Sequence, residues 1–188
     1  MDRQTKILMI FGQALMSLVF AATSPIIHVH FINLIGPSVL AASDIISVGL
    51  AAIVNSTIPN GKMKNLYRRN FTNIVVVDIV CFALVSFAGV EQPELRFLGF
   101  AVVNSVSTTL WAVIMSNAVN QKISGDTLTD WESFSKSFCL YTSLIGGIFA
   151  LFVTDIPVEL CIGAQCIANL IFGITDLKAF KRLNEGEI

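Results

Sequence analysis

Two aspartates interrupt long apolar runs: Asp44, seven residues beyond Pro37, and Asp78 in the stretch IVVVDIVC. An acid at the centre of a membrane helix costs roughly 2.5–3.5 kcal/mol on insertion scales. Each must therefore face water, meet a partner or carry a proton. Asp44 is expected to couple an ion or to border a solvated cavity. Asp78 is expected to form a charge pair, with Arg68 or Arg69 in reach if the preceding connection folds back. Asp176, at the end of the last apolar run, reads as interfacial.

Two polar stripes accompany these acids. At helical spacing Gln13, Ser17, Phe20 and Ser24 share one face, with Met16 beside them. Asn104, Ser107, Thr108 and Trp111 share another at i, i+3, i+4 and i+7. A wall of aromatics and polar groups suits an amphipathic small molecule, since rings supply apolar contact and amides orient it. The alternative is hydrogen bonding between helices inside a bundle.

Enzyme chemistry finds no support. GxSxG, HExxH and Walker motifs are absent. The only histidines, His28 and His30, are two apart and point to different helix faces, so they suit an outer loop or interface and not a metal. The four cysteines lie in apolar runs without CxxC and read as small hydrophobes. No catalytic residue, metal or cofactor is expected, and a formal net charge of −1 gives no reason to expect a nucleic-acid partner.

The elements that must position these residues are membrane helices. Hydrophobic residues make up 54% of the 188 and charged residues 13%, about half the usual charged share of roughly 25%. Each span needs about 20 apolar residues, and only helices or closed barrels satisfy the backbone in lipid. The alternation of a barrel is absent, so the expected fold is all-α. Pro25 and Gly36-Pro37 divide the first long run. The spans are expected at about 7–27, 36–58, 71–90, 97–118, 134–153 and 156–175, with Pro157 in the first turn of the last, forming one six-helix transmembrane domain over 1–188.

Cations collect in alternate connections. Arg3 and Lys6 precede the first span, and Lys62, Lys64, Arg68 and Arg69 follow the second. Lys122 and Lys136 flank the fourth connection, Lys178, Lys181 and Arg182 fill the tail, and only Arg96 falls on the other side. Basic loops stay cytoplasmic, so both termini are expected there, in a multi-pass protein of a cell membrane, with a bacterial plasma membrane as the expected one. The basic start and VFAATS resemble a signal peptide, but the apolar run continues through Pro25 to Ile27, and retention is expected.

The connection NGKMKNLYRRN resembles the loop between the second and third helices of the major facilitator superfamily. Gly61 matches its glycine and Arg68-Arg69 its basic run, while Asn65 stands at the acid position and Leu66 replaces a basic residue. FGQALMSLVFAATSPI resembles the first helix of the drug-exporter-like branch. The stretch from Asn120 to Phe152 resembles its fourth connection and fifth helix, without the proline of the antiporter motif. The resemblance implies one six-helix half of a twelve-helix transporter. It implies a conformational latch at Gly61, Arg68, Arg69 and Asp78, and a central cavity lined by the first and fourth helices. The two halves of such transporters are parallel repeats, so this chain would act as a homodimer moving a small molecule. Contacts between copies would run through Ala41, Ala42, Gly49, Ala51 and Ala52 and through Ser143, Gly146 and Gly147. A substrate-binding subunit of a vitamin uptake complex and a non-transporting membrane partner are the other readings.

Overall fold

The structure, a computed structural model, describes residues 1–57, 68–86, 93–152 and 156–184. Its described residues form six helices: α1 (Arg3–Ile35), α2 (Pro37–Thr57), α3 (Phe71–Ser86), α4 (Pro93–Lys122), α5 (Asp126–Phe152) and α6 (Val158–Asn184). No strand occurs among them. Five segments, within α1, α2, α4, α5 and α6, are long and apolar enough to cross a membrane, and α3 contributes a shorter apolar helix, Phe71–Leu84. The expected continuation of the third span over 87–90 and the latch residue Gly61 lie outside the described residues.

Several boundaries differ from those expected. Pro25 does not end the first helix; it lies inside α1, which runs on to Ile35. A proline removes one ladder bond, a loss that membrane helices accommodate locally. The break falls at Gly36 alone, whose φ of 80° is a left-handed helix end that favours glycine. Pro37 then occupies the first position of α2, where its missing N–H costs nothing. His28 and His30 are consequently inside α1 and not in an outer loop. Pro157 sits just before α6, its carbonyl accepting from the Leu160 N–H at 3.0 Å. Both α5 and α6 extend past their apolar windows into polar residues, α5 from Asp126 and α6 to Asn184.

The chain divides into two compact units, Met1–Ile27 with Met115–Ile188, and His28–Ile114. In the first, α1 and α5 run parallel. Lys6 lies 5.9 Å from the Trp131 ring, Gln13 meets Ser135, and Leu18 and Ala21 meet Gly146, so partners advance together. Against α6 the order reverses: Gln4 meets Arg182, Gly12 meets Thr175 and Thr23 meets Gln165. Those two helices are antiparallel, and Asp2 and Arg182, 3.9 Å apart, lie at one end of the unit.

The glycines explain how close these helices come. A Cβ at Gly146 would overlap the Leu18 backbone carbonyl, and one at Gly12 the Thr175 hydroxyl. Gly147 has open space around its Cβ position. Gly146, expected in a contact between copies, packs against α1 within the unit.

In the second unit α3 buries Phe71, Val75, Asp78 and Cys81, while Val76, Val77, Val80 and Leu84 are exposed. This is one helical stripe at i, i+4, i+7 and i+10. The acid occupies a position that would ordinarily be apolar core. Ser105 on α4 donates to the Ser47 carbonyl of α2 at 3.1 Å, joining a second pair of helices.

Candidate functional site

Asp78 is 3% exposed, and α4 presents three side-chain donors to its carboxylate. Thr108 Oγ1 donates to Asp78 Oδ1 at 2.5 Å, Ser107 Oγ at 2.9 Å and Asn104 Nδ2 at 3.3 Å. The Asn104 amide also reaches the Asp78 backbone carbonyl at 3.2 Å. The spacing on α4 makes this possible, since residues three and four apart stack on one face. Burial in an apolar environment without such bonds costs several kcal/mol for a polar group and more for a charge. Convergence on one oxygen is the local remedy.

The cluster is graded in exposure. Ser107 is buried at 4%, Asn104 is half-buried and Thr108 is exposed. The carboxylate itself stays buried beneath them. Ser107 has one hydroxyl proton and two acceptors in reach, Asp78 Oδ1 and the Asn104 carbonyl, each at 2.9 Å. Its proton can serve only one at a time, so the hydroxyl has two orientations available.

Two sites that the sequence suggested separately are therefore one. The Asn104 stripe, expected to hold solute, and Asp78, expected to act in a latch, meet directly. Trp111, the last member of that stripe, is 3% exposed and packs in the core instead of standing at an open wall. Arg68 and Arg69 are helical and precede α3, and the seven residues from Phe71 to Asp78 rise about 10 Å along the helix.

The other candidates lie elsewhere. Gln13 accepts a hydrogen bond from Ser135 Oγ at 2.8 Å, tying α1 to α5. Ser17 and Phe20 are half-buried on α1. Asp44 is exposed on α2, next to Ile45 at 73% and near Val48 at 70%, and forms no hydrogen bond or ion pair among the described residues. Asp176, expected at the interface, is 2% exposed.

The reading from sequence missed a buried polar row on α6. Gln165 donates to Thr23 Oγ1 at 3.0 Å, while Asn169, one turn on and 2% exposed, has its Nδ2 buried without a partner among the described residues. Two amides at i, i+4 in an apolar span were the available signal. No group of three or more His, Cys, Asp or Glu that could hold a metal occurs among the described residues.

No family model matches this chain, and no curated protein or solved structure shows significant similarity to it.

Proposed function

We propose that this chain is a membrane transport protein: a secondary transporter of a small amphipathic solute, working in a cell membrane as a homodimer of six-helix halves. The observation that carries this reading is the Asp78 carboxylate, buried in α3 and clasped by Asn104, Ser107 and Thr108 of α4. Ionisable groups inside membrane segments are expensive and mark ion or solute pathways. A buried carboxylate held by side-chain donors of a neighbouring helix can supply the needed two-state element. When its charge is compensated by a bound cation or proton, the three donors are released to rearrange, and the α3–α4 contact changes with them. Asp78 takes the coupling role that the sequence suggested for Asp44.

The homodimer draws support from the outer surfaces. Of the five candidate spans, those in α2 and α5 are the least buried. Exposed Asp44 among Ile45 and Val48 is costly against lipid, and a second copy would cover it. The organisation is that of one half of a major facilitator transporter, paired with itself.

The test is uptake of a panel of labelled amphipathic small molecules by proteoliposomes, with the mass of the complex measured in nanodiscs. Uptake that requires Asp78 and a mass of two copies is expected. A monomer that transports fully would remove the half-transporter organisation. Failure to move any member of the panel under proton, sodium and potassium gradients would remove transport.

A further inference from the structure

We infer that two copies of this chain join through the outward face of α2, the Asp44 carboxylate of each copy accepting a hydrogen bond from the His28 ring of the other. The inference rests on the homodimer reading above and names the surface and the groups that hold the copies together.

Asp44 calls for a donor. It is exposed on α2 and has no hydrogen bond or ion pair among the described residues. Beside it Ala41, Ile45, Val48 and Ala52 form an exposed stripe at i, i+4, i+7 and i+11, and Gly49 has nothing within 4 Å of its Cβ position. Alone, that stripe is a lipid-facing surface. With a carboxylate on its edge it is a costly one. A second α2 laid against it supplies apolar groups and another Asp44, and like charges oppose the contact.

The second copy must therefore bring a donor from another element. Among the residues whose side chains are described, the second unit offers His28, His30, Arg68 and Arg69. Arg68 and Arg69 precede α3, past the Thr57 end of α2, and the helix from Asp44 to Thr57 alone spans about 20 Å. His30 is half-buried, its ring edge-on to Phe31 at 5.7 Å. His28 is exposed and, like Asp44, has no hydrogen bond or ion pair among the described residues.

Depth brings His28 and Asp44 together. One stands eight residues before Gly36 and the other eight residues after it. α1 ends at Ile35 and α2 begins at Pro37, and each contains a candidate span. Consecutive spans cross in opposite directions, so both residues lie about 12 Å along their helices from the same joint. A two-fold axis along the membrane normal preserves depth and sets one patch against its own image. Asp44 of either copy then meets His28 of the other at one level, and two identical pairs form. The imidazole carries an N–H whether neutral or charged, so the bond is available in both states.

The experiment uses the full-length protein, labelled in separate batches with donor and acceptor fluorophores and reconstituted in liposomes over a range of protein-to-lipid ratios. Energy transfer gives the dimer dissociation constant. His28→Ala and Asp44→Ala should each weaken the dimer about 10- to 100-fold, the combined scale of two interhelical bonds in a membrane. Mixed together, the two variants retain one intact pair, Asp44 from one copy and His28 from the other. Their mixed dimer should recover to roughly 3- to 10-fold below wild type, half the loss on a logarithmic scale. The double variant His28→Ala/Asp44→Ala mixed with wild type has no intact pair and should not recover. Rescue by mixing two defective copies excludes misfolding as the cause.

A dimer unchanged by both single variants, or a mixture no tighter than the variants alone, would overturn the inference while leaving a homodimer through another surface. A wild type that stays monomeric at every ratio would overturn it together with the homodimer reading. Rescue in the mixture without uptake of any solute would support the interface and remove the transport reading.

Discussion

The unit built on α1, α5 and α6 and the unit built on α2, α3 and α4 join their helices by different means. In the first, contact is steric. Gly146 lets the α1 backbone approach at Leu18, Gly12 makes room for Thr175, and neutral bonds such as Ser135 to Gln13 add to the seam. In the second, contact converges on an acid, with three donors from α4 meeting Asp78. Lipid removes the hydrophobic drive between helices, leaving close packing and hydrogen bonds to hold them. The two units use one each as the leading device. Packing by glycine fixes a distance and tolerates nothing larger. A hydrogen-bonded acid can exchange partners. Under the proposed transport reading, rigidity falls to the first seam and change to the second.

Breaking the steric seam should give the largest effect. Gly146→Ala places a Cβ against the Leu18 carbonyl, a backbone atom that cannot swing aside. Overpacking of this kind costs about 1–3 kcal/mol, and Gly146→Leu should prevent folding. Gly147→Ala meets open space and should be near neutral. Size-exclusion profiles and thermal melts of the three variants test this. Equal tolerance at 146 and 147 would show that the seam is not tight.

Within the polar seam, Ser107→Ala removes a buried donor from the carboxylate. A hydrogen bond to a charged group contributes about 1.5–3 kcal/mol, so the melting temperature should fall. A melt unchanged from wild type would mean that Asp78 does not depend on α4.

Much of this frame was legible in the sequence. Charge gaps and breakers located all six helices, because an apolar run between cations has few alternatives in lipid. Their ends were less legible. Polar residues such as Asp126 to Glu132 continue α5 outside the apolar window, and hydropathy cannot distinguish a helical extension from a loop. Asp78 and the Asn104 stripe were each recognisable, yet as separate sites. Periodicity reports which residues share a face of one helix, but not which other helix that face meets. The same limit applies to Gly146 and Gly147, adjacent glycines of which only one approaches a neighbour. Gln13 was equally visible as a polar residue in an apolar helix, and only its distance to Ser135 gives it a packing role.

An apolar replacement on α6 should sharpen the contrast in the opposite direction. Asn169 Nδ2 is buried and unpartnered among the described residues, and an unmade bond of this type costs roughly 1–3 kcal/mol. Asn169→Leu, which has the same number of side-chain heavy atoms and the same branching, should therefore stabilise the first unit, by about 1 kcal/mol at the low end of that range. A lower melting temperature for Asn169→Leu would show that the amide is engaged in the folded protein. Ser107→Ala and Asn169→Leu, both removals of a buried polar group, should move the melt in opposite directions.

The smallest effect is expected at the shared end of the first unit. Asp2 caps α1, accepting from the Thr5 N–H at 2.6 Å, and lies near Arg182 of α6. Its hydrogen bonds to Thr5, backbone first and then side chain, hold its carboxyl below the ordinary value against a small opposing effect of burial, and the Arg182 charge adds to them. A carboxyl with a depressed folded-state pKa binds its proton less readily when folded. Its stabilisation is therefore present above the unfolded value of about 3.9 and is lost as pH falls below that value and through the lower folded one. The bond from the Arg182 guanidinium to the Gln4 amide oxygen, neither of which titrates in this range, has no such dependence. Asp2→Asn keeps an oxygen that can cap the helix but does not titrate. The wild type should lose a small increment of melting temperature between about pH 5 and pH 2 relative to Asp2→Asn, and the two curves should run parallel at higher pH. Because the group is exposed, raising the salt should diminish the Arg182 contribution but leave the Thr5 bond in place. Identical profiles for the two proteins across that acid range would show that Asp2 does not close this end of the α1–α6 seam.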